Sequence, residues 1–273
     1  MDESVESLLP MEESEPGDEP AVLPSEVARP RFCGRCGMAL DLSGEGCRAC
    51  AATPVIAPVA AAAPARPVAP ALALYFVLLG SSLVAILAIL AGANAVDAEI
   101  ATIVLDALVV LIWCLPARKQ VASALSSPAG MWWYPAALAG AVGTFIVATA
   151  ALWGLGAMLG IEQLSLSKPL LDHGLGWAGV IVMVCVQPAI IEELAFRGII
   201  FGSLRRALSA NETIMVSACM FSILHLSIPG IPHLLVIGLA LGYLRSKSGS
   251  LYPGMVLHFT HNLLCVLSEQ KGW

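Results

Sequence analysis

Residues 177–206 read WAGVIVMVCVQPAIIEELAFRGIIFGSLRR. The run is apolar and long enough to cross a hydrocarbon core, which takes about 20 residues. Yet Glu192, Glu193 and Arg197 fall in its middle. A charge at the centre of a span costs about 2.5–3.5 kcal/mol on insertion scales, so three unpaired ones would cost roughly 7–10 kcal/mol. They must be paired, hydrated or turned toward a cavity. Glu193 and Arg197 stand four apart with the carboxylate first, the favourable order for a helical ion pair. Glu192 is rotated by about 100° from Glu193 on an α-helix and falls outside that pair. One glutamate reads as structural and the other as free for chemistry.

The rest of the chain supports a membrane setting. Of 273 residues, 58% are hydrophobic and 12% charged, with a mean hydropathy of +0.82. A soluble domain carries about 25% charged residues. A soluble enzyme, a disordered scaffold and a nucleic-acid-binding protein are all poor fits, and the net charge of −6 argues further against a nucleic-acid partner. That charge is local. Residues 1–26 hold nine Asp/Glu and no Lys/Arg, while the remainder holds eleven acidic against fourteen basic residues.

From residue 71 onward, apolar runs alternate with short polar joints. Seven candidate spans cover 71–93, 98–116, 133–158, 176–206, 212–228, 231–245 and 251–268. The fold expected is an all-α, polytopic transmembrane helix bundle of about seven spans. The fifth and sixth runs are short and must tilt, thin the bilayer or line a hydrated cavity. With the N-terminus inside, the inside joints hold Arg29, Arg31, Arg35, Arg48, Arg66, Arg118, Lys119, Arg205, Arg206, Arg245 and Lys247, and the outside ones only Lys168 and Lys271. This bias predicts a cytoplasmic N-terminus. No basic n-region followed by an apolar h-region is found at the start, so no signal peptide is expected. An Ala/Gly/Pro-rich chain of this kind points to a bacterial inner membrane.

The first 70 residues divide into three expected parts. Residues 1–31 are acidic, rich in Pro and Ser, and read as a disordered tail. Residues 32–51 hold Cys33-Gly-Arg-Cys36 and Cys47-Arg-Ala-Cys50, separated by ten residues. Two such knuckles can bring four thiolates around one tetrahedral zinc ion, a structural zinc ribbon whose folding depends on the metal. Two disulfides are the alternative, and they would need an oxidising compartment. Four cysteines leave no open position on the metal, so the ribbon reads as structural or as a contact for a cytoplasmic protein partner. Residues 52–70 form an Ala/Pro-rich, semi-rigid linker. Residues 71–132 would then be accessory transmembrane helices and residues 133–268 the functional core. Cys114, Cys185, Cys219 and Cys265 stand singly in apolar runs and are expected to pack as small hydrophobes.

Two further runs place polar residues at membrane depth. The fifth gives Phe221-Ser-Ile-Leu-His225 and the seventh His258-Phe-Thr-His261-Asn262. His258 and Asn262 are four apart and can point at one target. Ser209-Ala-Asn-Glu212 reads as a capping box in the turn between the fourth and fifth runs. Glu192 lies 14 residues from Arg206, and His225 lies 14 from Asn211. At 1.5 Å per residue, both stand about 21 Å from that turn along antiparallel helices. His258 and Asn262 start from the same face near residue 250 and lie about 12–18 Å deep by the same rise. Two Glu, an Arg, two His and an Asn at matching depth on three spans are hard to assign to packing alone. His173, His233 and His261 lack this support and read as joint or face residues.

These residues resemble a known family. Glu192-Glu-Leu-Ala-Phe-Arg197 is similar to the EExxxR motif of the CPBP intramembrane proteases, which include CAAX prenyl endopeptidases and bacteriocin-processing or immunity proteins. Phe221–His225 is similar to the family's FxxxH and His258–Asn262 to its HxxxN. The resemblance covers roughly residues 135–268 and leaves the tail, ribbon and linker outside. It implies hydrolysis of peptide bonds in membrane-associated substrates. Glu192 and His225 would activate the attacking water, His258 and Asn262 would donate to the oxyanion, and Glu193 with Arg197 would brace the site. A carboxylate in low dielectric is a usable base near neutrality, and an asparagine amide is a good oxyanion donor. A two-His, one-carboxylate zinc site from Glu192, His225 and His258 stays open as an alternative. Two other classes compete: a non-enzymatic adaptor or immunity protein that uses the ribbon to bind a partner, and a transporter with intramembrane ionisable groups.

Overall fold

The computed structural model describes residues 68–160 and 165–269. The acidic tail, the four ribbon cysteines Cys33, Cys36, Cys47 and Cys50, and all but the end of the linker lie outside the described residues. Every regular element among the described residues is helical. In chain order these are α1 (Ala69–Leu90), α2 (Ala95–Cys114), α3 (Arg118–Ser126), α4 (Trp133–Leu159), α5 (Lys168–Asp172), α6 (Trp177–Leu204), α7 (Ala210–Leu224), α8 (Ile231–Ser248) and α9 (Tyr252–Glu269).

Each of the seven apolar runs gives a helix. By length and composition, three of them (α1, α4 and α6) are long and apolar enough to cross a membrane, or four if α2 and α3 count as one span bent by 96°. The sequence anticipates α2 but not α3, whose residues it assigns to a joint. Helix α7 has only 15 residues, about 22 Å at 1.5 Å per residue and short of a bilayer core of about 30 Å. Large apolar side chains on α1, α2 and α4 point outward, among them Leu87, Leu90, Ile112 and Ile146, each 59% exposed or more. Apolar surface this extensive needs lipid or a partner to cover it. The chain is an integral membrane protein.

Local chemistry explains several boundaries. Pro70 sits in the first turn of α1, where its missing N–H costs nothing. Asn94 caps α2 by accepting from the N–H groups of Val96 and Asp97. The capping box at α7 forms as its sequence predicts: Ser209 N–H donates to Glu212 at 2.8 Å, and the Ser209 hydroxyl accepts from Glu212 N–H at 3.3 Å. Helices α7 and α8 pack closely through small residues, and a Cβ on Gly238 would stand 2.9 Å from the Cα of Ala218. Cys185 is buried, while Cys114, Cys219 and Cys265 are half-buried free thiols, as their apolar settings predict.

Helix α6 departs from simple α geometry. It widens into π-helical turns over Ile181–Val186 and again over Glu193–Ile200. Such turns are rare and cluster at functional sites. Pro188 lies between them and has no N–H to offer the Val184 carbonyl four residues earlier.

Candidate active site

The second wide turn of α6 carries Glu193 and Arg197, and both side chains are fully buried. The Arg197 Nη1 donates to Glu193 Oε1 at 3.1 Å, the ion pair that the four-residue spacing predicts. Nη2 donates to the Gly238 carbonyl at 3.2 Å. The guanidinium also lies over the Phe221 ring, 4.6 Å from its centroid. A planar cation on an aromatic face, with a carboxylate in its fork, keeps its charge inside an apolar bundle.

His258 on α9 joins the two glutamates. Its Nδ1 donates to Glu193 Oε1 at 3.2 Å, and its Nε2 faces Glu192 Oε2 at 3.8 Å. The second distance is beyond hydrogen-bond range, and Glu192 Oε2 has no hydrogen-bond partner. The two carboxylates therefore differ in kind. Glu193 is sealed, with Arg197 and His258 on one oxygen. Glu192 keeps 28% of its side chain open and one oxygen unclaimed. This is the division of labour that their 100° separation suggests.

Glu193 Oε2 is packed against Gly254. A Cβ at that glycine would stand 2.8 Å from the oxygen. Gly254→Ala must push the carboxylate off Arg197 and His258. The expected result is a loss of about 1–3 kcal/mol in stability, typical of overpacking, read as a lower melting temperature of the reconstituted protein.

His225 stands at the C-terminal end of α7 and is exposed. Its Nδ1 donates to its own helix's Phe221 carbonyl at 2.9 Å, which fixes the tautomer and leaves Nε2 as the proton acceptor. Phe221 lies between the two histidines, with its ring 4.8 Å from that of His225 and 5.9 Å from that of His258. The motif's aromatic residue thus also packs on Arg197, a role that spacing alone does not reveal.

Asn262 and His258 hold different partners. The Asn262 Nδ2 donates at 2.8 Å to the Val184 carbonyl, four residues before Pro188 in the wide turn of α6. One N–H of the amide is thereby committed to the helix, and a second remains. His261 is buried and structural, with Nδ1 at 3.0 Å from the Thr144 hydroxyl and Nε2 at 3.6 Å from the Cys265 sulfur. His173 pairs with Asp97 at 3.1 Å, far along the chain from the motif residues. His233, at the start of α8, is within electrostatic reach of His225.

Sequence reasoning missed Asp106. It lies on α2, accepts from the Ser81 hydroxyl at 2.6 Å, and is within Coulombic reach of Glu192. The available signal was an acid in the middle of an apolar span, well away from Asp97 and Glu99 at its start. Glu192, His225 and His258 do not form a three-ligand set, and no group of three or more His, Cys, Asp or Glu suited to a metal occurs among the described residues.

The fold defines a helical membrane protein with a polar constellation buried in its core. Residues 174–264 match the family of type II CAAX prenyl endopeptidase Rce1-like proteins. The matched segment contains Glu192, Glu193, Arg197, His225, His258 and Asn262, and it bears out the resemblance to CPBP membrane proteases. No curated protein and no solved structure gave a match.

Proposed function

We propose that the chain is an intramembrane endopeptidase that hydrolyses peptide bonds of membrane-associated substrates with Glu192 as general base. The observation that carries this reading is the asymmetry of the glutamate pair: Glu193 is fully buried and paired with Arg197 and His258, while Glu192 is 28% exposed and makes no ion pair with the arginine. A structural pair would need no free carboxylate, and leaving one in a membrane core is costly.

In this mechanism Glu192 takes a proton from a water while the hydroxide oxygen attacks the scissile carbonyl carbon. His225, with Nε2 free, helps to hold the water. The oxyanion that forms receives the second N–H of Asn262 and the Nε2–H of His258, which must be in the imidazolium form because its Nδ1–H is already held by Glu193. When the C–N bond breaks, the leaving nitrogen takes the proton that Glu192 had accepted, and the carboxylate is restored. Glu193 and Arg197 position His258 and do not exchange protons with substrate.

All seven apolar helices cross or enter the bilayer of a bacterial plasma membrane, with the N-terminus in the cytoplasm. Cys33, Cys36, Cys47 and Cys50 hold a structural zinc ion, and the ribbon recruits a cytoplasmic partner. Deleting residues 1–66 is expected to leave cleavage of a supplied substrate intact. Complete loss of cleavage by a normally inserted protein would show that the ribbon takes part in hydrolysis.

The mechanism is tested by reconstituting the full chain with a library of membrane-anchored peptides and identifying the products by mass spectrometry. Wild type should cleave with a chelator present, and Glu192→Gln should not. Loss of cleavage on chelation by the chain lacking residues 1–66 would favour a catalytic metal instead.

A further inference from the structure

The wide turn that carries Glu193 and Arg197 is held by side chains from outside it. Phe201 N–H bonds to the Phe196 carbonyl, five residues back. Past this point the helix tightens to α spacing over Phe201–Leu204. At such a junction two carbonyls compete for one N–H, so a donor must come from elsewhere. Three consecutive carbonyls receive one. Arg245 Nε donates to Arg197 O at 3.0 Å, and Gln120 Nε2 donates to Gly198 O at 2.6 Å and to Ile199 O at 2.8 Å.

Gln120 belongs to α3, the elbow bent by 96° from α2, and lies outside the matched segment 174–264. Its carboxamide is fully used, since Oε1 accepts from Arg206 Nη1 at 2.6 Å. Gly202 opens the slot, because a Cβ there would collide with the Gln120 amide. A polar side chain, a glycine opposite it and two adjacent carbonyls of the wide turn form a fitted joint.

We propose that Gln120 is a positioning residue that sets the register of α6 and thereby the placement of Glu192, Glu193 and Arg197. Without its two donors, the 193–200 segment reverts to α spacing. That change rotates one side of the turn against the other by about one residue, roughly 100°. The rotation moves the glutamates relative to α9 and pulls them from His258. The accessory helices thus serve the site through the elbow. The catalytic part of this inference rests on the endopeptidase reading, whereas its conformational part does not.

The test uses the full chain in lipid nanodiscs, with Gln120→Glu, Gln120→Ala and Arg206→Ala. Hydrogen exchange is followed by mass spectrometry across 193–206, and cleavage is followed against the membrane-anchored peptide library. Gln120→Glu keeps the shape and strengthens the contact with Arg206, but it replaces donors with acceptors. If the donors hold the register, it exchanges faster over 193–203 by about tenfold or more, while α4 exchanges as wild type. Its cleavage falls by about 10–100-fold, as for a small misplacement of reacting groups. Gln120→Ala behaves alike, and Arg206→Ala changes both readouts far less. Wild-type exchange and cleavage by Gln120→Glu would overturn the proposal. Fast local exchange in Gln120→Glu, together with a wild type that cleaves nothing, would support the register and refute the endopeptidase reading.

Discussion

Arg197→Ala is expected to cost about 3–5 kcal/mol of stability, the range for breaking a buried pair and leaving a charge without compensation. Arg197 and Glu193 are both fully buried, and Glu193 Oε2 already lacks a hydrogen bond. Removing the guanidinium takes away the remaining carboxylate's cation, the donor to Gly238 O and the cation stacked on Phe221. The stacking alone contributes on the order of 2 kcal/mol when desolvated. The variant should show a sharply lower melting temperature and poor recovery from membranes. A second substitution separates charge from shape. Arg197→Met combined with Glu193→Gln removes both ions and should recover much of the loss, because a neutral, well-packed pair is often as stable as the ionic one. If the double variant is no better than Arg197→Ala, the stability resides in the stacking and not in the ion pair.

Glu192→Gln should behave in the opposite way. The side chain is partly open and its Oε2 bonds to nothing, so an amide of the same shape fits with little change in stability. Cleavage should fall by at least 10²–10⁴-fold, the contribution of a positioned general base, because the amide cannot accept the proton of water. The same change at Glu193 should lower stability and activity together, since it loosens Arg197 and His258. The contrast between two adjacent glutamates is a sharper test than either alone. It is read from melting curves and product yields on the same preparations.

The features legible in the sequence were those that follow from a regular helical rise. Seven apolar runs became seven helices, and the four-residue spacing of Glu193 and Arg197 became their ion pair. The depth arithmetic put Glu192, His225, His258 and Asn262 within reach of one region, and the structure brings His258 to 3.8 Å from Glu192. The features missed depend on departures from that rise. The wide turns of α6 leave no periodic signature, so neither the Gln120 joint nor the elbow that delivers it could be read in advance. The bond from Asn262 to Val184 joins α9 to the first wide turn of α6, a contact between distant parts of the chain that spacing does not reveal. Asp106 and Ser81 meet across two helices that the motifs do not include, so only tertiary packing reveals them.

If Glu192 makes this chain a protease of membrane-associated substrates, new protein termini should differ between membranes of cells expressing wild type and Glu192→Gln at equal levels. A set of termini should be found only with wild type, each marking a cleavage near the membrane. Termini shared in full by the two, with both proteins folded and inserted and with purified wild type inert on the same membranes, would contradict the endopeptidase reading.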